Sequence, residues 1–172
     1  MIEILKPVPV FGLPLNRVRL TSNLWLDEYI PFNLYKRYVI TGDKYYGWGD
    51  KFLELLCRKI NPKLIEADQM LADRFGPVTI NNWWNGGEYY FRGFRTLGCG
   101  AGTELSDHYQ GNASDKTFND FDAEEVRDHI KKRWRDLGIT IIEENVSWVH
   151  SSVAWIPNQK LLKIVRHEIN KR

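Results

Sequence analysis

The sequence predicts an α+β fold in which a small antiparallel sheet packs against helices. Three observations carry this reading. The segment "NDFDAEEVRDHIKKRWRDLG" has helical apolar spacing and signals at both ends, and "ITIIEENVSWVHSSVAW" then supplies two β-rich runs split near Glu144 and Asn145. No internal repeat or low-complexity linker divides the 172 residues, about the length of one domain and enough for a core without disulfide or metal staples.

Taken in order, residues 1–20 read as an extended arm, because Pro7, Pro9 and Pro14 interrupt the apolar run and no period buries one face. "TSNLWLDEYIP" reads as a short helix capped by Ser22 or Asn23 and stopped by Pro31. "ITGDKYYGWGD" is dense in turn residues and reads as a loop, and "KFLELLCRKI" places apolar residues 52, 55, 56 and 60 on a helical face. Asn61 caps a further helix with Pro62 in its first turn, running through Leu64, Ile65, Leu71 and Phe75 to the "GP" at 76–77.

"VTINNWW" reads as a strand, and Gly86 to Gly102 as an irregular surface excursion. In the strongest helix Asp122 caps the amide three residues on while Glu125 reaches back. Val126, Ile130 and Leu137 mark its buried stripe, and Gly138 ends it. The basic, lightly amphipathic end reads as a terminal helix or tail. The chain thus divides into an arm (1–20), one domain (21–157) and a basic C-terminal tail or helix (158–172).

Twenty-four basic against 22 acidic side chains leave +2, too little for nucleic acid or an anionic membrane to be the main partner. Cys57 and Cys99 have neither the spacing nor the neighbours of a disulfide scaffold or a thiolate zinc site. The N-terminal segment is neither a signal peptide nor a membrane span, so synthesis in the cytoplasm, with any route out supplied by another component, is expected. Thirteen per cent aromatic content, with Trp83, Trp84, Tyr89, Tyr90, Phe91 and Phe94 crowded together, suits a core or an interface, a sugar-binding groove being the secondary reading.

Of the four histidines, His129 lies in the strong helix among Lys131, Lys132 and Arg133 and reads as a surface residue, and His167 sits in the basic tail with no chemical role expected. His108 and His150 remain. If "GNASD" runs as a strand, Ala113 and Asp115 face one side, a small residue beside a carboxylate that leaves room for an ion. His150 shares a face with Trp148 and Val146. Two imidazoles and a carboxylate make a three-ligand set with an open fourth position, the form catalytic zinc uses, although spacing alone does not single this set out.

"SDHYQGNASD" fits the pattern S-x-H-x-x-G-x-A-x-D at Ser106, His108, Gly111, Ala113 and Asp115. It resembles the zinc peptidases that cleave peptidoglycan stems, the D-alanyl-D-alanine carboxypeptidase and L-alanyl-D-glutamate endopeptidase family, which shares its fold with hedgehog signalling domains. Many members are bacteriophage endolysins or virion proteins. The resemblance spans about residues 20–155, with "RFGPVTINNWW" and "FRGFR" agreeing in outline.

The resemblance implies zinc as the cofactor, with His108, Asp115 and His150 as ligands. Many relatives place the catalytic acid three residues before the last ligand, where this chain has Ser147. The hedgehog-like branch uses a glutamate six before it, here Glu144, and "ENVSWVHSSV" follows that form. Glu144 is therefore the expected base. Glu143 stands second because a one-residue shift in the turn exchanges their faces, and two solvated glutamates at a hairpin tip is the bland alternative. Trp148 replaces a second histidine of some relatives. Arg95 resembles an arginine that holds substrate or braces the site, an ordinary ion pair being its other reading. Ser106 braces the histidine loop.

The resemblance thus implies a zinc metallopeptidase acting on peptidoglycan peptides, a phage endolysin or virion-associated lysin made in the host cytoplasm and delivered to the wall by a holin or the particle. The alternative is a non-catalytic virion structural or binding protein that keeps the fold, with or without the metal. Ser147, Trp148 and a proline-rich arm suited to docking on other virion proteins favour that alternative.

Overall fold

The computed structural model describes residues 8–10, 17–40, 49–103 and 105–168, and among these described residues the chain forms two sheets and five α-helices. Strands β1 (Val8–Val10) and β2 (Arg17–Arg19) pair antiparallel, Val8 opposite Arg19. The described parts of the arm are these two strands and Leu20, and both Val18 and Leu20 are buried in the core. Their alternation across β2 is a period-two pattern that the prolines obscured in the sequence.

Helix α1 (Leu26–Tyr29) starts at Trp25, not at Ser22 or Asn23. The Trp25 N–H donates to Glu28 Oε2 at 2.8 Å, so the glutamate at the third helical position supplies the cap. Helix α2 (Phe32–Tyr35) continues into a π-helical stretch, Lys36–Ile40. Most of the expected loop, residues 41–48, lies outside the described residues. Helix α3 (Gly49–Cys57) buries Leu56 but leaves Leu55 exposed, and Ile60 enters the core beyond the helix end.

Helix α4 (Pro62–Phe75) follows its sequence signals: the Asn61 side chain accepts from Lys63 N–H, Pro62 occupies the first turn and Gly76 closes it. Strand β3 is only Val78–Thr79, shorter than the expected "VTINNWW". Asn81 leaves the sheet to donate its N–H to the Glu28 carbonyl, and Trp83–Asn85 form a 3-10 turn. That turn drops the Trp83 ring into the core against Phe32 and Tyr35, with its indole N–H on the Ile30 carbonyl at 3.1 Å. Burial of one large aromatic outweighs continued strand pairing here. Tyr89 and Tyr90, from the same aromatic cluster, stay exposed.

Strand β4 (Ala113–Phe118), helix α5 (Ala123–Leu137), strands β5 (Ile141–Glu144), β6 (Val149–Ser152) and β7 (Lys163–Arg166) complete the fold. Asp122 and Glu125 form the expected capping box, and Gly138 ends α5 in the left-handed region. The main sheet runs β3-β4-β6-β5-β7, antiparallel except that β7 lies parallel to β5 at its edge. The tail therefore holds a strand where a helix was expected. Ile164 and Val165 are β-branched, and Lys163 N–H bonds the Thr140 carbonyl at the head of β5, so sheet pairing overrides a weak helical period.

The sheet's two faces divide the labour. Ser114, Lys116, Val149, Ser151 and Ile142 are buried on the side that α4 and α5 pack against. Asp115 pairs with His150 across β4 and β6, and by alternation these two point from the opposite face. The helices thus support the sheet from behind and leave its front free to carry a site.

Candidate metal centre

Three segments bring the expected ligands together. His108 sits in a 3-10 turn, Asp107–Gln110, whose first residue follows Ser106; the Ser106 hydroxyl lies 3.5 Å from the His108 N–H. Gly111 closes that turn at φ +69, and a Cβ there would lie 1.7 Å from the Lys59 carbonyl oxygen. The glycine of the motif is thus required twice, by its backbone and by the close approach of the chain ahead of α4. Beyond it the strand β4 presents Asp115, with Ala113 fully buried on the same face. His150 comes from β6 directly opposite Asp115.

His108, Asp115 and His150 are each buried, and one ligand atom from each lies within 4.8 Å of the others. His150 Nδ1 is 2.7 Å from Asp115 Oδ1, His108 Nε2 is 3.4 Å from the same oxygen, and the two imidazole nitrogens are 3.3 Å apart. A tetrahedral ion bound at about 2.0–2.1 Å needs donors roughly 3.3 Å apart. The group can hold a metal ion.

The surroundings favour that role. His108 Nδ1 is 2.7 Å from the Gly93 carbonyl, which can only accept, so Nδ1–H donates there and Nε2 is the nitrogen directed at the centre. Gly93 itself is pressed against Tyr29, where a Cβ would lie 2.4 Å from the carbonyl oxygen. That contact explains the glycine of "FRGFR", which the sequence offered only as similarity. Burial raises the pKa of the Asp115 carboxyl, but hydrogen bonds and charge from His108 and His150 more than offset it and hold Asp115 well below the usual carboxylate range. Asp115 is therefore an anion ready to bind a cation.

Arg95 reaches this centre as a brace. Its terminal nitrogen donates to Asp115 Oδ2 at 2.9 Å and its Nε to the Phe91 carbonyl at 2.7 Å, while its backbone N–H holds the His108 carbonyl at 3.1 Å. The "RGFR" segment lies in the irregular excursion and yet fixes both the histidine and the aspartate.

The group sits at the base of an open cleft of about 560 Å³, whose walls include Leu105, Trp148, Glu143, Lys163, Val165 and His167. The two glutamates at the end of β5 separate here. Glu144 shares the face of buried Ile142 and pairs with Lys131 at 3.0 Å and Arg166 at 2.9 Å, away from the cleft. Glu143 points to the front, lines the cleft and meets His167 Nε2 at 3.1 Å. The structure thus brings His108, Asp115, His150 and Arg95 together and leaves Glu144 apart. The chain does fold back at Asn145, with φ +65, but the pleat carries Glu143 to the site side.

His129 is half-buried edge-on to Phe75, as befits a residue of the supporting helix, whereas His167 stands in the cleft. Its only sequence signal was even spacing from Lys163 and Val165, and that matters only once the tail is known to be a strand. Cys57 and Cys99 are free thiols, and burial pushes Cys57 up to about 12. Among the described residues no helix is long and apolar enough to cross a membrane. No family model, curated protein or solved structure matches the chain.

Proposed function

We propose that the chain is a zinc-dependent peptidase that hydrolyses the peptide stems of bacterial peptidoglycan. One observation carries the reading: three buried donors converge in a cleft that the Glu143 carboxylate also lines. The match of Ser106, His108, Gly111, Ala113 and Asp115 to the motif of cell-wall zinc peptidases supports the substrate class.

His108 Nε2, His150 Nδ1 and Asp115 Oδ1 would hold the metal, which when bound supplies a Lewis acid for the scissile carbonyl and acidifies a water molecule. The chain's own residues divide the remaining work. Glu143 takes a proton from the attacking water, whose oxygen bonds to the carbonyl carbon. The C–N bond then breaks, and Glu143 returns the proton to the leaving amine. Arg95 keeps Asp115 in place and its guanidinium is already engaged, so its part is to brace.

The test compares two neighbouring glutamates. Zinc-loaded wild-type protein releases peptides from purified peptidoglycan. Glu143→Gln keeps its zinc and loses roughly 10²–10⁴-fold in rate, while Glu144→Gln keeps both zinc and rate. Loss of rate in Glu144→Gln alone would return the base to Glu144. A zinc-loaded wild type inactive on walls of several chemotypes overturns the peptidase reading.

A further inference from the structure

We infer that His167 is the positioning residue for Glu143, which makes the C-terminal strand a working part of the cleft; the inference rests on the peptidase reading above. In parallel register, β7 sets Val165 beside Glu143 and Arg166 beside Glu144. Alternation then sends Lys163, Val165 and His167 to the cleft, where all three are found. Arg166 engages Glu144 behind the sheet, and His167 engages Glu143 in front. Each glutamate is matched by one residue of the tail.

The imidazole is held from both sides of its own backbone. The His167 N–H donates to the Glu144 carbonyl at 3.3 Å, and its carbonyl accepts from Asn145 Nδ2 at 2.8 Å. Asn145 occupies the left-handed region, which asparagine tolerates better than most residues, so the turn that ends β5 also clamps the end of β7. From that anchored position His167 Nε2 lies 3.1 Å from Glu143 Oε2. A carboxylate can only accept, so Nε2 is the atom through which the imidazole, as an ion-pair partner, meets it.

Among the described residues Glu143 makes no other ion pair, and its side chain is 22% exposed. Without the imidazole, a carboxylate on a flexible stem spends its time among rotamers that do not face the reacting water. His167 restricts that freedom in the way that outer partners orient ligands and bases elsewhere. It acts through Glu143 and needs no contact with substrate.

The experiment uses the full zinc-loaded chain, with zinc content, kcat and KM on a stem peptide, and the ¹⁵N shifts of the His167 ring. His167→Ala is expected to keep its zinc and KM and to lose about 10–100-fold in kcat, the usual cost of removing an orienting partner. His167→Gln, whose amide can donate in place of Nε2–H, recovers most of the loss. In a Glu143→Ala background His167→Ala costs nothing further, and the His167 ring signals move when Glu143 is removed. His167 is half-exposed, so its variants should fold, and a melting curve checks this. An active wild type whose His167→Ala variant keeps kcat, or ring signals indifferent to Glu143→Ala, overturns the inference alone. An inactive zinc-loaded wild type overturns the peptidase reading and this inference with it.

Discussion

Glu28 lies in the first helix with 6% of its surface exposed, and its Oε2 accepts the Trp25 N–H. Burial raises its carboxyl to about 8; the Trp25 hydrogen bond pulls the other way, and the charge of Asp27 adds to the rise. Burial also raises Asp27, against the opposing bond to Arg17. Between about pH 4.5 and pH 8 the folded chain keeps a proton on Glu28 that the unfolded chain has released. The contribution is therefore fully present below pH 4.5 and is lost as pH rises through 8. Glu28→Gln keeps the cap acceptor and removes the titration. Its Tm should match wild type near pH 4 and exceed it at pH 8, by on the order of 2–4 °C for each kcal/mol recovered. Equal melting of the two proteins across that range would show that Glu28 ionises normally.

Behind the site, β4 and α4 are joined by a fully buried ion pair, Lys116 to Asp68 at 2.9 Å. Tyr29 and Ser114 hydroxyls also donate to Asp68, and Lys116 donates to Ser151 on β6. Lys116 follows the candidate ligand Asp115, so this network fixes from behind the register that the front face displays. Removing one partner of a buried pair leaves an uncompensated charge, so Lys116→Met should cost about 3–5 kcal/mol by denaturant unfolding. A double variant with Asp68→Leu should recover part of it, less than all because Tyr29 and Ser114 lose their acceptor. A Lys116→Met cost below about 1 kcal/mol would show that the pair does not hold β4 to α4. None of this network was read from the sequence, where Asp68 and Lys116 are single charges 48 positions apart. What was legible was local. Asn61, Asp122, Glu125, Gly76 and Gly138 act within a few residues of themselves and mark α4 and α5 correctly. His108 and Asp115 share one short motif, and His150 falls opposite through strand pairing. The choice between Glu143 and Glu144 depends on the pleat after a turn, and the reading of the tail depended on a parallel partner 22 residues earlier. Such non-local pairing decides over weak intrinsic propensity.

At the scale of the molecule, the candidate centre ties parts of the chain that no local signal connects. His108 belongs to the turn ahead of β4, Asp115 to β4 and His150 to β6, and Arg95 and Gly93 bind the irregular excursion to the same point. The unfolded chain holds these donors apart, so an ion that prefers the assembled set must stabilise the fold by mass action. At free zinc about 100 times its Kd the gain is about 2.7 kcal/mol, which for a chain of this size corresponds to a rise in Tm on the order of 5–10 °C. The rise should vanish with a chelator. It should also be largely lost in His150→Ala, whose own melting without zinc controls for damage to β6. Asp115→Asn should keep less of the rise than Glu143→Gln, because the former removes a donor and the latter leaves all three in place. A wild-type Tm that zinc does not move would separate the convergence of these side chains from any metal role. It would leave His108, Asp115 and His150 as a hydrogen-bonded cluster closing the front of the sheet.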